Sequence, residues 1–321
     1  MTAPVATAGA APARAPFTPV GSCWICAGSR LVRFHAARLD FRQYADEDAE
    51  LYAYTGATVW FVRCAACGFG QPEALPALPG FFDRMYAQRW SADWIAREFD
   101  ADYKDFIFRS ILTELERRTV GRRLLDVGAH AGRFLHLARC AGWNIEGIEL
   151  NPRTAAYAAQ RTGATVHQVN ARELASTRRR YSAVVLTDVL EHIPDPVSVL
   201  VALGDLTEPG GCIAVKVPCG PSQVIKERLL AKLTSHTVSL ADNLVHVNHF
   251  TPRSLMCALE RAGFVGVSVR SGAPELVPSG RGAVQSRLAN ALRLAVYGAA
   301  GLPGAVHTPL ALNLQAYATR L

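Results

Sequence analysis

The chain has 321 residues, 50% of them hydrophobic and 19% charged, with a formal net charge of +7. Such a length and composition suit one catalytic-size domain with a smaller appended module, and exclude a disordered chain. The charge is mostly arginine, since the only lysines are Lys104, Lys216, Lys226 and Lys232; the densest run, Arg178-Arg179-Arg180, reads as a solvated turn before a strand, so nucleic acid is not the expected partner.

Residues 1–20 are rich in Ala, Pro and Thr and lack a charged stretch followed by a continuous apolar core, so they read as a disordered tail and not as a signal peptide. The longest apolar stretch, Leu288 to Leu302, is broken by Arg293 and is shorter than the ~20 residues of a membrane helix. A cytoplasmic protein that does not enter a membrane is expected. Eight cysteines without an export signal then argue for metal ligands or buried thiols over disulfides.

Residues 21–80 carry two CxxC knuckles, Cys23-Trp24-Ile25-Cys26 and Cys64-Ala65-Ala66-Cys67. Each knuckle places two thiolates on one side of a tight turn, and two matched knuckles predict one four-cysteine zinc site. With Cys23, Cys26, Cys64 and Cys67 filling the coordination sphere, that zinc is structural. Aromatic and β-branched residues from Tyr52 to Arg63 predict strands leading into the second knuckle, giving a zinc ribbon with little core of its own. Cys140, Cys212, Cys219 and Cys257 lie in apolar contexts and read as packing residues.

Residues 81–120 form a helical lead-in. Its aromatic portion, Phe81 to Tyr103 with Tyr86, Trp90 and Trp94, fits either a lid over a site or plain core packing.

Residues 121–321 alternate strands with helices. Leu124–Val127, Asn144–Glu149, Thr165–His167, Tyr181–Leu186 and Gly211–Val217 are short apolar strands separated by helical runs, which predicts an α/β fold with a parallel, doubly wound sheet. Ligands of such sheets bind where the strands end. The first strand ends in Asp126-Val127-Gly128-Ala129-His130-Ala131-Gly132, a glycine turn with an acidic residue before it. A dinucleotide turn would have GxGxxG facing a pyrophosphate, whereas an acid here suits a cationic ligand. The second strand ends in Glu149, placed to accept from two ribose hydroxyls. The third approaches Asn170, and the fourth ends Asp188-Val189-Leu190-Glu191-His192-Ile193-Pro194-Asp195-Pro196.

This set resembles class I S-adenosylmethionine (SAM)-dependent methyltransferases, particularly the small-molecule group with a VLEHxxDP segment after the fourth strand. The resemblance runs from about Arg122 to Val269, through Gly210-Gly211 and His249-Phe250-Thr251-Pro252, with a last strand in Leu310 to Arg320. It implies a Rossmann-like seven-stranded sheet. It also implies that Asp126, Gly128, His130 and Gly132 form the SAM turn, that Glu149 holds the ribose, that Asn170 and Ala171 flank the adenine, and that Asp188 borders the same pocket. His130 departs from the family pattern, which has glycine there. The knuckles are similar to those of zinc-containing methyltransferases of sugar nucleotides, glycans and natural products.

Methyl transfer needs orientation of the reactants and, for hydroxyl or carbon acceptors, removal of a proton. His192, His246 and His249 are the catalytic candidates, the last two in an insertion expected to cover the acceptor. In similar sugar C-methyltransferases the base lies four residues before the phenylalanine matching Phe250, which gives His246; its neighbours there, Glu and Tyr, are replaced by Val245 and Asn243. In ubiquinone-type O-methyltransferases an acidic residue plus Glu-His holds a divalent cation, and Asp188, Glu191 and His192 match that pattern as a Mg site. Glu191-His192 equally fits a helix cap lining the cofactor pocket. Ser286 to Tyr297 reads as an amphipathic helix for the core or a dimer contact.

The expected function is transfer of a methyl group from SAM to an O or C atom of a small acceptor, such as a sugar, a glycan or a carrier-bound biosynthetic intermediate. Two alternatives are an RNA methyltransferase that grips RNA through the ribbon and arginines, and a non-catalytic SAM-binding scaffold. Oligomeric state is left open.

Overall fold

The computed structural model describes residues 16–87, 91–233, 242–277 and 282–321. The amino-terminal module contains β1 (Phe17–Pro19), β2 (Leu31–Arg38), α1 (Ala49–Tyr52), β3 (Thr58–Cys64), β4 (Gly70–Pro72) and β5 (Ala74–Pro76). Strands β2, β3 and β4 form an antiparallel sheet, and β1 pairs with β5.

Two expectations change in this module. The tail boundary at residue 20 moves, because Phe17 pairs with Pro76 and Pro19 with Ala74; residues 1–15 lie outside the described residues. The strand expected from Tyr52 begins only at Thr58, because the Asp48 carboxylate accepts from the Glu50 and Leu51 N–H groups and caps a helical turn. The module contributes to a core shared with the helix Phe81–Ala87 and the 244–247 segment, in which Phe41, Leu51 and Phe61 are completely buried beside Tyr44, Tyr54, Met85, Leu244 and Val247. Charge and hydrophobic spacing alone did not show that these aromatics converge.

Helices α2 (Phe81–Ala87), α3 (Ala92–Asp100) and α4 (Asp105–Arg118) lead into the larger domain. It continues through β6 (Arg123–Val127), α5 (Arg133–Cys140), β7 (Asn144–Ile148), α6 (Pro152–Thr162), β8 (Thr165–His167), α7 (Ala171–Ala175), β9 (Tyr181–Thr187) and α8 (Pro196–Leu206). It ends with β10 (Thr207–Pro218), α9 (Gly220–Leu233), α10 (Pro252–Arg261), β11 (Phe264–Ser271), α11 (Ala283–Ala300) and β12 (Asn313–Arg320).

The seven strands are ordered β11-β12-β10-β9-β6-β7-β8, and only β12 runs against its neighbours. This is a Rossmann-like seven-stranded α/β sheet, as the resemblance implies. Central strand β9 reads Tyr-Ser-Ala-Val-Val-Leu-Thr and is buried along nearly its whole length, because helices cover both faces of a parallel sheet. The strand order reverses between β6 and β9, and a doubly wound sheet opens its crevice at that point.

Helix α10 starts where Thr251 and Ser254 cap each other's backbone N–H groups and Pro252 occupies the first turn. Helix α11 forms as expected, and Leu288 and Leu292 on it are each 67% exposed. Its inner face instead presents Tyr297, whose ring meets Phe106 at 6.0 Å. Among the described residues no helix is long and apolar enough to cross a membrane.

Candidate functional site

Strand β6 delivers Asp126 to the crevice, and the chain then turns into α5. Gly128 has φ +76°, and a Cβ there would stand 2.4 Å from Val189 Cγ2, so only glycine fits. The N–H groups of Gly128 and Ala129 both donate to Ile148 O, at 2.8 and 2.9 Å. His130 N–H donates to Glu149 Oε2 at 2.9 Å, and Asn151 N–H donates to Oε1 at 2.8 Å. The turn and the end of β7 are therefore one hydrogen-bonded unit.

Burial, reinforced by Glu149, pushes the Asp126 carboxyl up to about 8. Burial likewise raises Glu149. Two desolvated acids side by side favour a ligand that is cationic or rich in donors, because it restores their ionised form. His130 takes the left-handed conformation at φ +50° and sets its ring edge-on to Trp94, 5.0 Å between centroids. Burial and then the Lys104 ammonium lower the His130 imidazole to about 4, so it is neutral and adds no charge beside the turn.

A cavity of about 1320 Å³ opens over these strand ends, lined by Asp126, Gly128, His130, Glu149, Asn170, Ala171 and Asp188. It exceeds the roughly 300–1,000 Å³ of an ordinary small-ligand pocket, leaving room for two ligands together. Gly132 does not line it. That residue is the N-cap of α5, and an added Cβ would come within 3.0 Å of Ala158 and 3.1 Å of Thr162 in α6, so close helix packing calls for glycine there. Asn170 is at the rim, but its side chain accepts from Glu173 N–H at 3.0 Å as the cap of α7. What it can offer a ligand is therefore mainly backbone.

Asp188 closes β9 in the left-handed region, φ +56°. Its Oδ1 accepts a short hydrogen bond from Lys216 Nζ, and its Oδ2 lies 3.1 Å from Lys104 Nζ. Burial opposes the charge, but the two ammonium groups outweigh it and hold Asp188 well below the usual carboxylate range. With both oxygens engaged, Asp188 does not complete the expected Mg site with Glu191 and His192. The lysines were not foreseen, although two of the four lysines in the chain meeting at one strand end is a signal that their rarity could have given.

A different trio converges: the ligand atoms of Glu191, His192 and His246 all lie within 4.8 Å of one another. Glu191 is 1% exposed, and among the described residues its Oε2 has no hydrogen-bond partner. Burial and then Asp188 raise its carboxyl to about 8. His192 Nδ1 lies 2.6 Å from Val245 O. A carbonyl oxygen only accepts, so Nδ1 carries a proton, with Tyr86 Oη also 3.0 Å from it, and Nε2 faces Glu191 Oε1, 4.0 Å away. Tyr86 O–H, from α2, donates to the same carbonyl at 3.2 Å, and both Tyr86 and Trp94 line the cavity. The lead-in thus walls the site; Trp90 lies outside the described residues.

His249 is not part of this group. It is buried between Phe34 and Phe61, with centroid separations of 5.9 and 5.2 Å, and burial lowers it to about 3. Its motif position beside Phe250 placed it near the site, but the chain turns its ring into the amino-terminal module, which corrects its candidacy as a catalytic residue.

The four knuckle cysteines meet, with Sγ–Sγ distances of 3.6 Å for Cys23–Cys67 and 3.5 Å for Cys26–Cys64. A tetrahedral zinc with bonds of about 2.3 Å needs sulfur separations of about 3.8 Å, so the donor set fits a closed metal site. Within the exposed arginine run, Arg179 pairs with Glu146 at 2.9 Å.

A model of the methyltransferase domain family matches residues 99–269. The chain belongs to this family. The matched span of the methyltransferase includes the glycine turn, Glu149, Asp188 and Glu191-His192. A ubiquinone biosynthesis O-methyltransferase of Cereibacter sphaeroides is 29% identical over 150 residues, 42% of this chain and 61% of that protein. One of Aeromonas salmonicida is 31% identical over 110 residues, 32% of this chain and 46% of that protein. The chain therefore spans about three fifths or less of the length of these curated relatives. A chain from the complex between the Haloferax volcanii Trm112 methyltransferase activator and a methyltransferase superposes with a TM-score of 0.50 at 17% identity, covering 74% of this chain and 97% of that one; this likeness is one of fold.

Proposed function

We propose that this chain transfers the sulfonium methyl group of SAM to a hydroxyl oxygen of a small-molecule acceptor, a sugar or a carrier-bound biosynthetic intermediate. The observation that carries the reading is one cavity lined both by the acidic turn of Asp126 and Glu149 and by Glu191, His192 and His246. Oxygen is favoured over carbon by the names of the relatives and by Val245 and Asn243, which depart from the sugar C-methyltransferase pattern.

In this reading Asp126, His130 N–H and Glu149 hold the SAM end of the cavity, with Ala171 beside the adenine. The C–S bond breaks as the O–C bond forms, and the electron pair stays on sulfur, so the leaving thioether is neutral. The hydroxyl proton passes to His192 Nε2 while Nδ1 donates to Val245 O, and the imidazolium that results, 4.0 Å from Glu191, draws that carboxyl toward its ionised form. His246 borders the same acceptor space. The four cysteines hold a structural zinc.

Labelled-methyl transfer from SAM into hydroxylated metabolite pools tests this reading. Turnover that falls at least about a hundredfold in His192→Gln with SAM affinity retained supports the proton role. Turnover that chelation abolishes and Mg²⁺ restores, while zinc stays bound, would replace it with a cation at Glu191, His192 and His246.

A further inference from the structure

The cysteine module and the cavity share one stretch of chain, residues 245–251. On the cavity side, the N–H groups of Val247 and Asn248 both donate to Glu191 O, at 2.9 and 3.0 Å. The Asn248 side chain donates to Leu190 O at 2.7 Å and to Ile193 O at 2.8 Å. On the module side, His249 and Gly70 exchange both backbone hydrogen bonds, at 2.9 and 3.0 Å. Thr251 Oγ1 donates to Cys67 O at 3.2 Å, and Arg261 donates to Ile25 O at 2.7 Å, so both knuckles are fastened to the start and end of α10.

His246 sits inside this clamp, three residues before His249. Between Gly70 and His249 there is no slack, since a Cβ on Gly70 would come within 2.9 Å of His249 Cβ and 3.3 Å of the Phe34 ring. Gly70 follows the second knuckle by three residues, and a metal ion joins that knuckle to the first. We propose that the Cys64–Cys67 knuckle is a positioning element for His246, so that the metal held by the four cysteines sets where this imidazole stands against Glu191 and His192. The inference rests on the reading of those three residues as the acceptor end of the site. The backbone N–H groups of Gly128, Ala129, His130 and Asn151 that shape the SAM end all donate within the larger domain, and only the Asn151 side chain reaches α2, at Tyr86 O, so disturbance of the knuckle should largely spare that end.

The test uses the full chain labelled with ¹⁵N-histidine, with His246 assigned through His246→Gln, and S-adenosylhomocysteine as the calorimetric probe. Gly70→Ala leaves the four cysteines intact; it is expected to keep its metal, to bind S-adenosylhomocysteine within about threefold of wild type, and to shift the His246 ring signals. Chelation of the metal should shift the same signals. Unchanged His246 signals in both samples would overturn the proposal, as would unfolding in both with parallel loss of the probe's binding, which would make the module a folding support only. Failure of the wild type to bind the probe, with His246 still shifting, would overturn the SAM reading and leave the coupling standing.

Discussion

The backbone N–H of His130 donates to Glu149 Oε2 at 2.9 Å. The residue that departs from the glycine pattern thus reaches the Glu149 carboxylate through its backbone, and its neutral ring packs on Trp94. His130→Gly is therefore expected to leave SAM affinity within about threefold. Glu149→Ala removes a charged acceptor whose hydrogen bonds are worth about 1.5–3 kcal/mol, and calorimetry should show SAM binding weakened by about 10- to 100-fold.

Asp126 predicts a pH dependence of binding. Its carboxyl, pushed up to about 8 by burial and Glu149, is mainly protonated at neutral pH, while a sulfonium cofactor favours the ionised form. Binding then releases a proton, and SAM affinity rises with pH up to about 8. Calorimetry in buffers of different ionisation enthalpy would detect the release; a pH-independent affinity would count against this role.

The same residue predicts a stability effect of opposite sign. The folded-state value lies above the unfolded one, so the native state binds more protons than the unfolded state between pH about 4 and 8, and stability falls as pH rises through that window. Asp126→Asn should melt several degrees above wild type at pH 8 in scanning calorimetry without SAM, while binding SAM more weakly.

Asp188→Asn should have a large structural cost. Lys216 is 3% exposed and pairs with Asp188. Removing one partner of a buried pair leaves an uncompensated charge, at a cost of about 3–5 kcal/mol. Denaturant unfolding should show that loss, with part recovered in Asp188→Asn combined with Lys216→Met.

For the cysteine site, elemental analysis is expected to find about one zinc per chain, falling in Cys64→Ser. A folded chain without zinc would contradict the closed site.

Much of the sheet was legible because buried parallel strands are continuous apolar runs, and Tyr181–Thr187 and Cys212–Val217 could be little else. That Asp126, Gly128 and Glu149 would border the crevice was legible because strand ends are marked by a change from apolar to polar residues. Gly132 and His249 were misplaced for one reason: a motif position fixes the backbone neighbourhood but not which partner fills the space beside it, here Ala158 in one case and Phe34 with Phe61 in the other. The Asp188 lysines and the Tyr86-His192-Val245 linkage come from segments distant in the chain, and no local spacing records them. Nor did local pattern show that Phe41, Tyr54 and Phe61 would converge with Met85, Leu244 and Val247 in one core.

The central claim is most directly tested by titrating SAM into the wild-type chain and into the Asp126→Ala, Glu149→Ala double variant by calorimetry, with circular dichroism to verify folding. Saturable binding at one site in the wild type, lost in a folded double variant, is the expected result. Equal affinity in the two proteins would show that the turn between Asp126 and Glu149 is not the cofactor site.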